Sequence, residues 1–436
     1  MTLEDLKNKK IAVLGFGIEN QALVNFLVAK KISCEITICD AHEETQSAFA
    51  PLLPKNIKWR TGVGYDNGLM GFDLISRVAG YPLFSAPLKM ARQKSVKITS
   101  PADLFLNFCP SKNIIGVTGT KGKGTTASLI FSILKQAGKR VFLGGNIGIP
   151  MFSFIKKVRP DDWVVLELSS FQLEDIETSP KISVITNFYK EHLAPADPNN
   201  PNYHKTLPAY WQAKANIFKW QSPDGNLIIN EKLKAKIKKA EFKGATTFFS
   251  TSNLPSNLIG AHNQENIAAA LTATMIAGVP KEVAEVAIKK FKGLEHRLEL
   301  VAKIDGVKYY DDSFSTTPEN TIVALKSFSE PVILLAGGAD KGSNFKSLAK
   351  IIKSRVKFIV LFSGVATPRL EKEIKLAKYP LGQIKTVTSM ADAIKFAKSQ
   401  ATPGDIVLLS PGCASFGLFK NYKERGDLFK EEARKS

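Results

Sequence analysis

The chain has 436 residues, past the size at which one hydrophobic core keeps growing, so roughly two to four domains are expected rather than a small stapled scaffold. Hydrophobic residues make up 44% and charged residues 23%, a globular balance that argues against long disordered or low-complexity tracts. Sixty Lys+Arg against forty Asp+Glu give a net charge of +20, which points to an anionic partner: nucleic acid, a membrane surface or a phosphorylated metabolite.

The elements follow a repeating pattern. Lys10–Gly15, Cys34–Asp40, Asp73–Ser76 and Val96–Thr99 read as strands, with helical periodicity over Glu19–Lys30 and Pro87–Lys94 between them. A second series starts with a strand over Asn113–Thr118 and a helix over Thr125–Ala137. It continues with strands over Asp162–Leu168 and Lys181–Asn187 and closes with a helix over Asn266–Ala277. A third follows Arg297, with strands over Pro331–Ala336, Lys357–Phe362 and Asp405–Ser410 and helices over Phe345–Lys353, Pro368–Ala377 and Met390–Ser399. Such alternation predicts three tandem α/β domains, over residues 1–109, 110–296 and 297–436, with turn formers at Phe108–Lys112 and Gly293–Leu298 marking the boundaries. The lysine-dense stretch Glu231–Lys243 spaces Leu233, Ile237 and Ala240 as the buried stripe of a surface helix, so it reads as a solvated lysine face rather than a nucleic-acid patch.

Cys34, Cys39, Cys109 and Cys413 show no CxxC spacing and no neighbouring histidine cluster, which argues against a zinc site or a disulfide framework. The charged segment Met1–Lys10 does not read as a signal peptide, and no run of about 18 apolar residues offers a membrane span. A cytosolic enzyme or binding protein is expected.

The chemistry concentrates in Gly116-Val117-Thr118-Gly119-Thr120-Lys121-Gly122-Lys123-Gly124-Thr125-Thr126, between a buried strand and an amphipathic helix. Glycines let backbone N–H groups close around phosphate oxygens, the helix N-terminus adds positive potential, Lys123 reaches the outer phosphates, and a following hydroxyl can ligate Mg²⁺. The pattern departs from the strict Walker form, with Val117 at its first glycine position and Gly124 after the lysine, which leaves Thr125 as the hydroxyl ligand. Gly15-Phe16-Gly17 after the first strand, with Asp40 ending the next, is an incomplete dinucleotide fingerprint. It fits a turn that merely needs glycine, a site for another diphosphate, or a dinucleotide.

Taken with the phosphate loop, further segments resemble the Mur ligases, which build the peptide stem of peptidoglycan in cell-wall biogenesis. These are Gly144–Pro150, Glu167–Glu174, Gly260–Asn266, Gly293–Glu299, and Leu409–Ser415 continuing to Phe419–Tyr422, in the family's order. The likeness is greatest to the members that add D-glutamate to UDP-N-acetylmuramoyl-L-alanine. It implies a Rossmann-like UDP-substrate domain, a central P-loop ATPase-type domain and a Rossmann-like amino-acid domain. The expected reaction is ATP-dependent amide-bond formation through an acyl phosphate, on small-molecule substrates, by a cytoplasmic monomer without nucleic-acid or membrane partners.

Residue by residue, the resemblance places Gly119, Thr120, Lys121, Gly122, Lys123, Gly124, Thr125 and Thr126 around the ATP phosphates, Asn263 and Asn266 at adenine, and Arg297 and Asp312 over phosphates and ribose. Two Mg²⁺ ions are expected at Thr125, Glu167, His192 and Lys214, the last as a carbamate. Without the resemblance, Lys214 reads as a helix-surface lysine, Glu167 as a strand-capping acid and His192 as a loop residue. Gly15, Phe16, Gly17, Asp40, Ala41, His42, Asn146 and His192 are implied at the UDP substrate, and Thr316, Lys341, Ser415 and Tyr422 at D-glutamate. The chain departs from the family at Ser76-Arg77-Val78-Ala79-Gly80, where Ser-Pro-Gly is usual, at Phe314 in place of a lysine, and at Tyr422 in place of phenylalanine. A folylpolyglutamate-synthase-like ligase would carry its phosphate loop near the N-terminus, an oxidoreductase would leave that loop unexplained, and a nucleic-acid ATPase would need a recognition module that is absent from the sequence.

Overall fold

Short runs in which nearly every residue is apolar become the inner strands of parallel sheets, because helices cover both faces. The computed structural model describes residues 1–195, 201–237, 242–339 and 342–435 and contains three such sheets. They fall in two compact units, Met1–Leu254 with Gln264–Ile288, and Pro255–Asn263 with Lys289–Ser436.

In the first unit, β1 (Lys10–Leu14), β2 (Glu35–Asp40), β3 (Lys58–Thr61), β4 (Leu74–Arg77) and β5 (Lys97–Thr99) make a parallel sheet ordered β3-β2-β1-β4-β5. The order reverses between β1 and β4, the place where open α/β sheets leave a crevice at the strands' carboxyl ends. The second sheet runs β11-β10-β9-β6-β8-β7 and is parallel throughout. Its strands are β6 (Ile114–Thr118), β7 (Val141–Gly145), β8 (Trp163–Glu167), β9 (Ile182–Ile185), β10 (Asn226–Asn230) and β11 (Ala245–Phe249). Central β6 is buried at all five positions. Its register sets Val117 opposite Glu167 and Thr118 opposite Ile185, so the phosphate loop, the acid and the segment after β9 share one end of the sheet. Phe26 and Phe105, on helices flanking the first sheet, pack against Phe152 below the second, with ring centroids 5.1 and 5.8 Å apart.

The second unit holds β12 (Glu299–Ile304), β13 (Val307–Asp311), β14 (Val332–Ala336), β15 (Val356–Phe362), β16 (Ile384–Val387) and β17 (Ile406–Leu409), ordered β12-β13-β17-β14-β15-β16. Among the described strands of this sheet only β12 and β13 pair antiparallel, through a hairpin at Asp305-Gly306, where both residues have positive φ (49° and 78°). Leu334, Leu361 and Leu408 from three adjacent strands meet one helical layer, and Ile333, Val360 and Val407 meet the other.

Strands expected from apolar runs lie within two residues of β1, β2, β4, β5, β6, β8, β9, β14, β15 and β17. The strands not foreseen are mostly partly exposed, such as β3, β12 and β16, whose polar faces blur the pattern. Two helical expectations need correction. The helix expected from Asn266 starts at Ala261. Glu231–Lys236 is a 3-10 helix rather than the start of an α-helix; Leu233 is buried as expected, while Ala240 lies outside the described residues.

Candidate functional site

The phosphate loop is drawn tight by neighbours as well as by its glycines. Gly119 has φ +147°, and a Cβ there would stand 1.9 Å from Thr186 Oγ1. Thr120 N and Lys121 N donate to the carbonyl and side-chain oxygens of Asn187 at 3.0 and 2.8 Å, and Thr186 Oγ1 donates to the Lys121 carbonyl at 2.7 Å. Gly122, at φ +81°, ends the loop and begins the helix Lys123–Gln136, two residues before the expected start. Asn266 Oδ1 lies where a Gly122 side chain would go and accepts from Thr126 Oγ1 at 3.3 Å. Lys123 Nζ turns back to the carbonyls of Gly119 and Thr120, at 3.1 and 3.0 Å. Thr125 is half-buried on the first turn.

Lys214 corrects the surface reading of that residue. It is only 1% exposed on the helix Leu207–Lys219. Its Nζ donates to the Gly119 carbonyl at 2.8 Å and lies 4.6 Å from the centre of the Tyr210 ring. Burial first, then the Lys123 ammonium, pushes its pKa well below the ordinary lysine value. Glu167, the last residue of β8, is 5% exposed and accepts from Asn146 Nδ2 at 2.8 Å, so it too is no surface cap. His192 has φ +59°, with its ring edge-on to Phe171 and Tyr210 at 5.2 and 5.7 Å. Burial lowers its pKa, although Glu191 opposes the shift.

Carboxylate and hydroxyl oxygens from Glu167 and Thr125 are the hard donors Mg²⁺ prefers, and Thr118 Oγ1, immediately before the loop, is buried without a hydrogen-bond partner. A lysine ammonium does not fit that donor set, whereas a carbamate on Lys214 does.

At the first sheet's switch point, Asp40 is turned inward. Its carboxylate accepts from Phe16 N at 2.6 Å, His42 N at 2.9 Å and Thr45 Oγ1 at 3.1 Å, so it orders the loop that presents Gly15 and Gly17. The Phe16 ring is buried against Phe49 and Trp59, leaving its backbone for any phosphate contact, while Ala41 and His42 are exposed. A Cβ on Gly15, φ +79°, would meet Val78 at 2.2 Å. Arg77, at the divergent segment, is fully buried and bridges the two sheets by ion pairs to Glu174 and Asp175 at 3.3 and 2.9 Å. Glu19, on the helix that starts after Gly17, accepts from Gln172 Nε2 at 2.5 Å, and burial raises its pKa to about 7.

In the second unit, Asn263 donates to the Ile259 carbonyl at 2.7 Å. Asp312 is 5% exposed and accepts from Ser410 Oγ at 2.7 Å; burial raises its pKa to about 7. The Arg297 guanidinium stacks 3.7 Å from the centre of Phe314, whose ring meets Tyr422 edge-on at 5.0 Å. Thr316 is half-buried, and Ser415 is buried beside Ala414, which bridges to Ala339 after β14. Lys341 lies outside the described residues. Sequence reasoning passed over Asn187, His204, Tyr210 and Glu174, each of which braces the loop or its surroundings through contacts that no local motif announces.

A glycine-rich loop between a buried parallel strand and a helix, flanked by a strand-end carboxylate, defines an α/β nucleotide-using protein. Family models described as the Mur ligase middle domain and as the Mur ligase glutamate ligase domain match residues 117–254 and 296–413. The chain is 37% identical to the UDP-N-acetylmuramoylalanine–D-glutamate ligase of Acetivibrio thermocellus, over 98% of this chain and 96% of that protein. It is 36% identical to the ligase of the same name from Symbiobacterium thermophilum, over 97% of each. Among solved structures, MurF ligase from Thermotoga maritima in complex with ADP shares the fold with a TM-score of 0.60 at 15% identity, covering 99% of this chain and 97% of that one. UDP-N-acetylmuramate–alanine ligase MurC of the same organism does so at 0.58 and 17%, covering 98% and 100%. The chain belongs to the Mur ligase family. No helix among the described residues is long and apolar enough to cross a membrane.

Proposed function

We propose that this chain is an ATP-dependent ligase of peptidoglycan precursor synthesis that joins D-glutamate to UDP-N-acetylmuramoyl-L-alanine, releasing ADP and phosphate. The observation that carries the reading is near-full-length similarity to D-glutamate ligases, with the phosphate loop and Lys123 held as a nucleotide site requires. Its three domains are assigned to residues 1–109, 110–296 and 297–436, and its working form to a monomer.

A carboxylate does not acylate an amine at neutral pH until one oxygen becomes a leaving group. Transfer of the γ-phosphoryl of ATP to the alanyl carboxylate makes that group. The amine then attacks the acyl carbon, loses a proton, and the tetrahedral intermediate expels phosphate as the amide forms. Positioning and charge stabilisation do most of this work. The loop amides over residues 119–124 cradle the phosphates, and Lys123 places a cation at the transferring phosphoryl. Asn266, tied to Thr126, packs its side chain against the same loop from the helix Ala261–Ile276 and is assigned to adenine with Asn263. Arg297 and Asp312 are assigned to phosphates and ribose.

Glu167, Thr125, His192 and a carbamylated Lys214 would hold two Mg²⁺ ions, which when bound neutralise phosphate charge. Asn146, which braces Glu167, and His192 are assigned to the UDP substrate as well, with Gly15–Gly17, Asp40, Ala41 and His42. Thr316, Lys341, Ser415 and Tyr422 are assigned to D-glutamate. One observation favours a second amino-acid preference: Phe314 takes the place of a family lysine and stacks under Arg297 instead of offering a cation. Incubation with ATP, Mg²⁺, UDP-N-acetylmuramoyl-L-alanine and a panel of amino acids separates the readings. Phosphate release that depends on D-glutamate supports the proposal, preference for another amino acid overturns only the specificity, and no amino-acid-dependent release overturns the ligase.

A further inference from the structure

Behind His192 lies a buried polar network that the sequence reading does not use. Arg77 donates to the carbonyls of Tyr81 and Phe171 at 2.5 and 3.1 Å while pairing with Glu174 and Asp175. The other oxygen of Glu174 lies 3.4 Å from His204 Nδ1, and His204 Nε2 is 2.9 Å from Ser170 Oγ. Asn202 joins the same group, donating to the Ala79 carbonyl at 2.8 Å and to Glu174 at 3.3 Å. Burial holds the His204 pKa down at about 4, so its approach to Glu174 at neutral pH is the polar contact of a neutral ring and not an ion pair.

His204 and His192 are tied at two levels. The His204 amide donates to the His192 carbonyl at 2.9 Å. The His204 ring stacks on Phe171, with centroids 4.7 Å apart and planes 5° apart, and lies 5.0 Å from Tyr210. Phe171 and Tyr210 are the two rings that meet the edge of His192. A left-handed backbone at a residue other than glycine persists only where its surroundings over-determine it, and His192, at φ +59°, is such a residue. Arg77 and Asn202 also clamp carbonyls in the segment after β4, beside the first sheet's glycine loop.

We propose that His204 is a positioning residue for the reaction: locked by Glu174 and Ser170, and through them by Arg77, it fixes the backbone and ring of His192 in the geometry that meets the metal. The divergent Arg77 thereby ties the segment at the UDP-substrate crevice to the metal site. This inference rests on the reading of His192 as a metal contact.

The probe is Mn²⁺ binding, followed by the electron paramagnetic resonance of the free ion, to protein holding UDP-N-acetylmuramoyl-L-alanine but no nucleotide or amino acid. His204→Phe keeps the ring stack and deletes the hydrogen bond to Ser170 and the polar contact with Glu174. It is expected to weaken Mn²⁺ binding about tenfold, the scale of losing hydrogen bonds in a buried network. His204→Gln, which offers an amide toward Ser170, is expected to recover most of that loss, and His192→Ala to lose at least as much as His204→Phe. In turnover, His204→Phe should raise the Mg²⁺ needed for half-maximal rate and leave the KM for the amino acid unchanged. Thermal midpoints close to the parent's separate positioning from unfolding.

If His204→Phe binds Mn²⁺ like the parent while His192→Ala does not, the positioning role is wrong and the metal reading stands. If His192→Ala also binds like the parent, the metal reading fails and takes this inference with it. Should His204→Phe not fold, Ser170→Ala removes only the hydroxyl partner. A loosening of about threefold there supports the proposal, and unchanged affinity overturns it.

Discussion

Replacing Lys214 probes the proposed metal site most directly. At pH 7.4 an unperturbed lysine holds only about one part in a thousand as the free amine that can attack CO₂. Lys214 is 1% exposed beside the Lys123 ammonium, and each tenfold rise in its acid constant, as its pKa falls, multiplies that reactive fraction tenfold. In the proposed carbamylation the amine lone pair bonds to carbon, a proton leaves, and an anionic carbamate replaces a cation that two Mg²⁺ ions would repel. Lys214→Ala removes the proposed metal ligand, with an expected loss of ~10²–10³ in kcat by analogy with deleting one stabilising group at a transition state. It also removes three methylenes of apolar stem worth about 2.4 kcal/mol at ~0.8 kcal/mol each, partly offset because no amine is left buried, for a net destabilisation of ~1–2 kcal/mol.

The assay is amino-acid-dependent phosphate release by the alanine variant, with and without millimolar acetate or formate, and ¹³C NMR of the parent under ¹³CO₂. Partial rescue and a carbamate resonance are expected. A fully active alanine variant, or a parent without the resonance, would falsify the carbamate reading. The same shift has a stability sign. Between its lowered folded value and 10.5 the folded chain binds fewer protons at Lys214 than the unfolded chain, so this group's contribution rises with pH across that window, and Lys214→Met flattens it.

Gly119→Ala puts a methyl group 1.9 Å from Thr186 Oγ1 at φ +147°, so kcat/KM for ATP should fall at least ~100-fold; parent-like kinetics would show that the loop tolerates a side chain. Arg77→Met leaves Glu174 and Asp175 buried without their cation and should cost ~3–5 kcal/mol in urea unfolding, whereas a loss below ~1 kcal/mol would mean the bridge is dispensable. Phe314→Leu removes the ring under Arg297 and should raise the KM for ATP ~3–10-fold with kcat little changed, a shift that Phe314→Tyr avoids; an unchanged KM in the leucine variant rules out that support. Asp312 has a folded pKa of about 7 against 3.8 for the free group, so its burial penalty is absent near pH 4 and grows as pH rises to 7. Asp312→Asn should therefore stabilise the chain by ~2–4 kcal/mol at pH 8 and little at pH 4, and equal thermal gains at both pH values would refute the assignment.

Much of the fold was legible because apolar runs such as Ile114–Thr118 and Val332–Ala336 are buried at every position and leave no alternative to inner strands. The hairpin joining β12 and β13 was legible in principle: Asp305-Gly306 is a hairpin signal, but the half-exposed residues of β12 hide the alternation around it. Within the site, the phosphate loop announced itself because glycine and lysine spacing is a local property of the chain. Lys214 did not, since a lysine on an amphipathic helix reads as solvated until a neighbouring strand and loop cover it.

The sequence by itself therefore determined the α/β class, the inner strands, the phosphate loop and the family motifs, all of which depend on residues close together along the chain. Only the tertiary structure decided that Asp40 faces inward, that Glu167 and Lys214 lose their solvent, and that Arg77, Glu174 and His204 meet behind His192. Those outcomes depend on segments brought together across two sheets, where desolvation and partner geometry, rather than residue type, set the charge state and role of each group.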